Sequence, residues 1–288
     1  MHRSRNAFTF IVYSMLVNVQ NYDVKQTVQT LLFIALLLAG MQLSAQSGPS
    51  TKPNLLIAHR GGIVDSTAGQ NSLKALTKAI AKGYWMVEVD LRMTKDSVLI
   101  THHDKNFRQS FGLDSAVSSM TWEAIGKLRG VNGYRVQRFE DVLAHCKGKL
   151  GVMIDNKLDG NDTAVWTRLI TLLKKYDLYK SALMIGTDES TAYFTGKIRL
   201  SCTRQQLETN INRPDYKASN YYLFSDKISR EDYEWAHRRN ILVVGVINAW
   251  AFQPGESVSK AEEQATTLKA AGVQCFQIDS QYESLFQK

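Results

Sequence analysis

From Pro53 onward the chain alternates two kinds of run, and this alternation narrows the available folds more than any other feature. Short apolar stretches fall at Leu55–Ala58, Met86–Leu91, Gly151–Ile154, Ala182–Ile185, Ile198–Cys202, Tyr221–Phe224, Ile241–Val246 and Cys275–Ile278. Their length and composition suit buried strands rather than helices. Helical spacing of apolar residues occupies most of the intervals, for example at Ser72–Ala81, Ala164–Tyr176, Arg230–Arg239 and Lys260–Ala271. Gly83 and Gly272 stand where helix C-terminal glycines belong. About eight strands alternating with helices over roughly 230 residues predict an α/β fold, a (β/α)8 TIM barrel. The runner-up is an open doubly wound sheet, but the chain carries no G-x-G-x-x-G and no phosphate-loop motif.

A barrel gives meaning to Glu88 and Asp90. Residues two apart in a strand share a face, and Val87, Val89 and Leu91 take the other one. In a barrel the carboxylates then point inward, where unpaired charges are expensive. Two carboxylates so close repel, and a hard cation such as Mg²⁺ or Ca²⁺ removes the conflict. Active sites of such barrels lie at the C-terminal ends of the strands. The polar residues at those ends are His59, Glu88 and Asp90, Asp155 and Lys157, Arg204, Asn248 and Trp250, and Asp279.

Four ordered segments, HRGG from His59, QNSLKAL from Gln70, EVDLRMTKD from Glu88 and HHD from His102, resemble the glycerophosphodiester phosphodiesterases. The pattern there is His-Arg-Gly, Glu-Asn-Thr, Glu-x-Asp with Thr-x-Asp, and His-Asp. FEDVL, IDNK and GVQCFQIDS extend the resemblance over about residues 55 to 280. It implies a barrel with a short insertion after the second strand and one divalent cation, Mg²⁺ or Ca²⁺, on Glu88, Asp90 and Asp155. It also implies a small-molecule phosphodiester as substrate, with glycerol 3-phosphate and an alcohol as products. His59 and His103 would serve as general acid and base, in an order the residues leave open. The attacking group, water or a glycerol hydroxyl passing through a cyclic phosphate, is open too. Arg60 offers phosphate a planar fork and Lys157 a point charge. Trp250 would contact the substrate beyond the phosphate, and Asp279 would be structural. His102 points to the opposite face if the run stays extended.

The chain departs from the family pattern in three places. Asp155 stands where Glu is usual. Gln70 stands where Glu is usual and brings no charge, with Asp65 as a candidate substitute. VGVINAW replaces Trp-Thr-x-Asn. Two other functions are therefore carried: a barrel that binds a phosphorylated ligand with little turnover, and a metal-dependent barrel enzyme acting on a carbonyl or sugar.

The first 45 residues read as a secretory signal, with Lys25 ahead of the apolar LLFIALLLAG and a polar stretch after it. Cleavage near Ala45 would export the protein. An uncleaved membrane anchor is the alternative, although the apolar run is short for a span. Residues 46–53 read as a linker and 54–288 as the barrel domain. The net charge of +8 includes +2 from that leader, through Arg3, Arg5 and Lys25 against Asp23. No dense basic run with interleaved aromatics remains to suggest nucleic acid. Cys146, Cys202 and Cys275 fit no zinc spacing and read as buried thiols, with one disulfide open. In the long connection 105–141, Phe107, Phe111 and Tyr134 either wall the pocket or pack the loop.

Overall fold

The computed structural model describes residues 53–286 apart from 132, 133 and 254. The leader and nearly all of the linker lie outside the described residues. The strands are β1 Leu55–Ala58, β2 Met86–Met93, β3 Leu99–Thr101, β4 Asn106–Phe107, β5 Leu113–Ala116, β6 Gln137–Arg138, β7 Gly151–Asn156, β8 Leu183–Ile185, β9 Arg199–Cys202, β10 Tyr221–Ser225, β11 Leu242–Ile247 and β12 Cys275–Ile278. Strands β1, β12, β11, β10, β9, β8, β7 and β2 run parallel in that order, and pairing of β1 with β2 closes the ring. This is the expected (β/α)8 barrel, with each apolar run in its expected place.

Strand period decides what fills the barrel. Ile57, Met86, Met153, Leu183, Tyr222, Val244 and Cys275 point inward and form an apolar floor. Two residues further along β1, β2 and β7 stand His59, Glu88 and Asp155, so the polar site rests on that floor. The alternate residues Val87, Val89, Leu91, Val152 and Ile154 face outward and join the larger core beneath the helices.

The helices are α1 Leu73–Ala81, α2 Arg108–Phe111, α3 Trp122–Ile125, α4 Phe139–Cys146, α5 Thr163–Lys175, α6 Asp188–Phe194, α7 Arg204–Ile211, α8 Arg230–His237 and α9 Ser257–Ala271. Ser72 caps α1 through Ala75 N–H, while Thr187, Thr203 and Ser229 form capping boxes on α6, α7 and α8. Gly272 caps α9 in the left-handed conformation, as its position in the sequence predicts.

The insertion after β2 carries more structure than a connection. β3 and β6 extend the sheet antiparallel to the end of β2, and β4 and β5 form a separate pair. Ile100, Phe107, Val117, Ile125 and Val136 give it a small core of its own. His102 belongs to this core. It is fully buried, its Nε2 lies 3.0 Å from the Asn106 carbonyl, and its ring packs on Phe107 at 4.9 Å.

Burial pushes the His102 pKa below its ordinary 6.5, against the Asn106 carbonyl and the Asp104 charge, which both favour protonation. The unfolded chain then binds the proton more readily than the fold. Stability falls as pH drops below 6.5 and levels off below the lowered folded value. The gap in Tm between wild type and His102→Gln should therefore narrow from pH 7 to pH 5. A gap independent of pH would refute this account.

Cys146, Cys202 and Cys275 are free and buried, so the disulfide is not formed among them. No helix among the described residues is long and apolar enough to cross a membrane.

Candidate active site

The parallel register assembles the site. β2 and β7 pair with Asp90 opposite Asp155, and Glu88 lies two residues back on the same face. One oxygen from each of the three carboxylates falls within 4.8 Å of the others. Glu88 and Asp90 are each 1% exposed. Burial, then Asp90, then Asp155 raise the Glu88 pKa well above the carboxylate range, against the Arg60 N–H and Lys157. Its Oε1 is buried without a partner among the described residues. An oxygen-only donor set with an unanswered buried oxygen fits a hard divalent cation, which Glu88, Asp90 and Asp155 would hold. Ligand type alone does not select between Mg²⁺ and Ca²⁺.

Lys157 follows β7 and places Nζ 2.6 Å from Asp155 Oδ2 and 3.5 Å from Asp90 Oδ1. Burial works to lower its pKa, but Asp155, Asp90 and Glu88 outweigh burial and hold the ammonium above its usual range. Arg92, two residues past Asp90 on the inward face, steadies both flanks. Its guanidinium donates to the His103 carbonyl at 2.7 Å and to the Lys157 carbonyl at 3.3 Å.

The turn after β1 presents Arg60 in the left-handed conformation, φ 54° and ψ 47°. That conformation costs a non-glycine residue about 1–2 kcal/mol. Two backbone contacts hold it: Arg60 N–H donates to Glu88 Oε2 at 2.7 Å, and Asn71 N–H donates to the Arg60 carbonyl at 2.6 Å. The Arg60 side chain donates to Gln70 Oε1 at 3.1 Å and to His103 Nε2 at 3.3 Å. Gln70 therefore keeps the arginine partner without the charge. Asp65 does not stand in for it, because it pairs with Lys78 and Thr67 at the surface.

Two histidines converge here from different loops. His59 Nδ1 lies 2.7 Å from Asp279 Oδ1, and its Nε2 is 3.8 Å from Glu88 Oε2. His103 Nδ1 lies 2.8 Å from Asp104 Oδ1, and its Nε2 meets Arg60. In each, a carboxylate favours the tautomer with the proton on Nδ1 and leaves Nε2 facing the site. Asp279 is thus more than structural. β1 and β12 pair with Ala58 opposite Ile278, so the next residues, His59 and Asp279, stand side by side. Burial works to raise Asp279, but the His59 contact, the Ala249 N–H and Arg60 outweigh it and keep the carboxyl below its usual range.

Sequence reasoning also missed Asn71. It is 2% exposed, donates from Nδ2 to Asp90 Oδ2 at 2.9 Å, and adopts φ 56°. Arg204 does not join the site: it opens α7 and pairs outward with Glu208 and Asp232 over the Trp235 ring. Asn248 follows β11 and is buried. Trp250 sits in the turn after it and is 71% exposed, which excludes a buried structural role.

A sequence model of the glycerophosphoryl diester phosphodiesterase family matches residues 59–277. The chain belongs to that family. The matched span runs from the first candidate histidine to the last barrel strand. Among curated relatives, "Probable glycerophosphodiester phosphodiesterase 2" of Mycobacterium tuberculosis is 30% identical over 89 residues, which is 31% of this chain and 33% of that protein. The chain spans about half or less of the first curated relatives it matches. The crystal structure of a glycerophosphoryl diester phosphodiesterase from Parabacteroides distasonis aligns over 81% of this chain and 85% of its own, with TM-score 0.66 and 20% identity. An Oleispira antarctica phosphodiesterase, solved in complex with the product sn-glycerol-3-phosphate, aligns over 80% and 96%, with TM-score 0.60 and 15% identity. At these identities the solved structures establish the fold that the family members share.

Proposed function

We propose that the barrel hydrolyses a glycerophosphodiester to glycerol 3-phosphate and an alcohol. The observation that carries this reading is the pairing of two carboxylate-held histidines, His59 and His103, around Arg60 and a buried triad of carboxylates. Family membership supports the reaction class. The product seen in the Oleispira antarctica phosphodiesterase supports the glycerol phosphate half.

The chemistry follows from what a phosphodiester needs. Its transition state gathers negative charge on the equatorial oxygens, and the leaving oxygen needs a proton. Arg60 and Lys157 bind and orient the phosphoryl group by charge-assisted hydrogen bonds. One histidine takes a proton from the attacking hydroxyl at Nε2, and the other delivers one from Nε2 to the departing alcohol. A new P–O bond forms as the P–O bond to the alcohol breaks. A divalent cation on Glu88, Asp90 and Asp155 supplies two positive charges and lowers the pKa of a hydroxyl beside it. Trp250, exposed after β11, is placed to meet the part of the substrate beyond the phosphate. The substrate is a small molecule; nucleic acid is not a partner in this reading.

Asp279 orients His59 and stabilises its charged form. Asp279→Asn keeps the shape and loses the charge, so kcat should fall about 10–100-fold with little change in Tm. Unchanged kcat would remove Asp279 from the machinery.

A second reading, a barrel that binds a phosphorylated ligand with little turnover, is favoured by one observation. Lys157 already neutralises part of the triad through Asp155. It predicts phosphate-ester binding without cleavage across a broad panel. For location, export after cleavage near Ala45 is the proposal, tested by N-terminal sequencing of the protein recovered from its producing cells; an intact leader would favour the membrane-anchored alternative.

A further inference from the structure

Tyr134 carries a polar group that nothing above explains. It comes from the insertion, where Gly130 N–H donates to the Tyr134 carbonyl at 2.9 Å and Tyr134 N–H donates to the Val131 carbonyl at 3.2 Å. The ring is fixed from several sides. It stacks on Phe111 with centroids 5.1 Å apart, and Phe111 stands edge-on to Phe107 at 5.6 Å. Gly69 and Gly130 leave room for it: a Cβ on either would sit 3.3 Å or 3.1 Å from the ring. The phenol oxygen is buried and has no hydrogen-bond partner among the described residues.

A phenylalanine would fill the same space. Burying a hydroxyl without a partner costs about 1–3 kcal/mol, so an unanswered hydroxyl in a fixed ring marks a place where something else binds. The ring borders a cavity of about 510 Å³ together with Gly69, Gln70, Gln109, Ser110 and Arg135. Gln70 holds Arg60, and Arg60 meets His103, so the cavity adjoins the arginine end of the site. Burial, then the charges of Asp90 and Asp104, raise the phenol pKa above its usual range, so the group stays a hydrogen-bond donor.

The neighbours decide what it can read. A phosphoryl oxygen only accepts, and carboxylates repel it. A substrate hydroxyl can accept from a phenol and donate to a carboxylate at once. We propose that Tyr134 is a specificity-determining residue whose hydroxyl donates to a hydroxyl of the substrate's glycerol half, so that the insertion selects polyol phosphodiesters over diesters of simple alkyl alcohols. This inference rests on the hydrolytic reading above and names the group that reading leaves unspecified.

The test compares glycerophosphocholine with propyl phosphocholine, in which the glycerol hydroxyls are replaced by hydrogen. Both are run with the wild type and with Tyr134→Phe, which keeps the ring and its stacking. Sn-glycerol 3-phosphate binding is measured by calorimetry alongside. The wild type should prefer the glycerol diester. Tyr134→Phe should raise KM for that diester about 10-fold or more, leave the propyl diester unaffected, and weaken sn-glycerol 3-phosphate binding by a similar factor. An unchanged preference in Tyr134→Phe, with an active wild type, overturns the inference alone. An equal loss on both diesters also overturns it, because it signals a packing role. Silence of the wild type on both diesters overturns the hydrolytic reading and this inference with it.

Discussion

His59→Ala is expected to lower turnover of a glycerophosphodiester by about 10²–10⁴-fold, the usual worth of a positioned general acid or base. The side chain carries little of the fold, since it ends β1 above the apolar floor and bonds mainly to Asp279. Glu88→Gln is expected to remove activity to a similar degree and to separate function from stability. Glu88 is buried, with Oε1 unanswered, beside Asp90 and Asp155. Removing its charge relieves the conflict in the metal-free protein, so Tm without added metal should hold or rise by about a few degrees. With Mg²⁺ or Ca²⁺ added, the wild type should gain stability by mass action and Glu88→Gln should gain less. A Glu88→Gln protein with near wild-type turnover would refute the assignment. A large fall in its metal-free Tm would refute the stability argument.

Gly62→Ala is expected to destabilise the protein severely. Gly62 has φ 133°, and a Cβ there would lie 2.3 Å from the Ala75 carbonyl oxygen and 2.4 Å from its carbon. Those are backbone atoms of α1 that no side-chain adjustment can move aside. The loss should be about 3 kcal/mol or more, seen as a fall in Tm of about 6–12 °C. Gly61→Ala acts nearby with a different signature. Its Cβ would lie 2.4 Å from Asn71 Cα, and Asn71 holds both Arg60 and Asp90. It should lose activity even in the fraction that remains folded. Gly83→Ala is the control: φ is 73°, but nothing lies within 4 Å, so only about 1 kcal/mol should be lost. Equal Tm for Gly62→Ala and Gly83→Ala would contradict the close-approach argument.

The barrel strands were legible because each is a short apolar run with helical spacing on either side. The inward carboxylates were legible because a period of two sets Glu88 and Asp90 against Val87, Val89 and Leu91. What the sequence hid depends on neighbours far along the chain. Asp279 meets His59 only because β12 and β1 are adjacent in the closed ring, a consequence of the barrel that the motif alone does not carry. Asn71 takes its role from a left-handed backbone and two contacts, none written in its residue type. Arg204 misled because a position after a strand is also the first turn of the next helix, and its partners there are Glu208 and Asp232. Strands β3 to β6 escaped because two to four residues are too few to show alternation.

The central claim is tested most directly by release of glycerol 3-phosphate from a panel of glycerophosphodiesters, run after chelation and again with Mg²⁺ or Ca²⁺ restored. The account predicts silence after chelation and release on restoring one of the two ions, with the head group of the fastest diester identifying the alcohol. Silence with either ion restored, from folded protein shown by calorimetry to bind the metal, would contradict it.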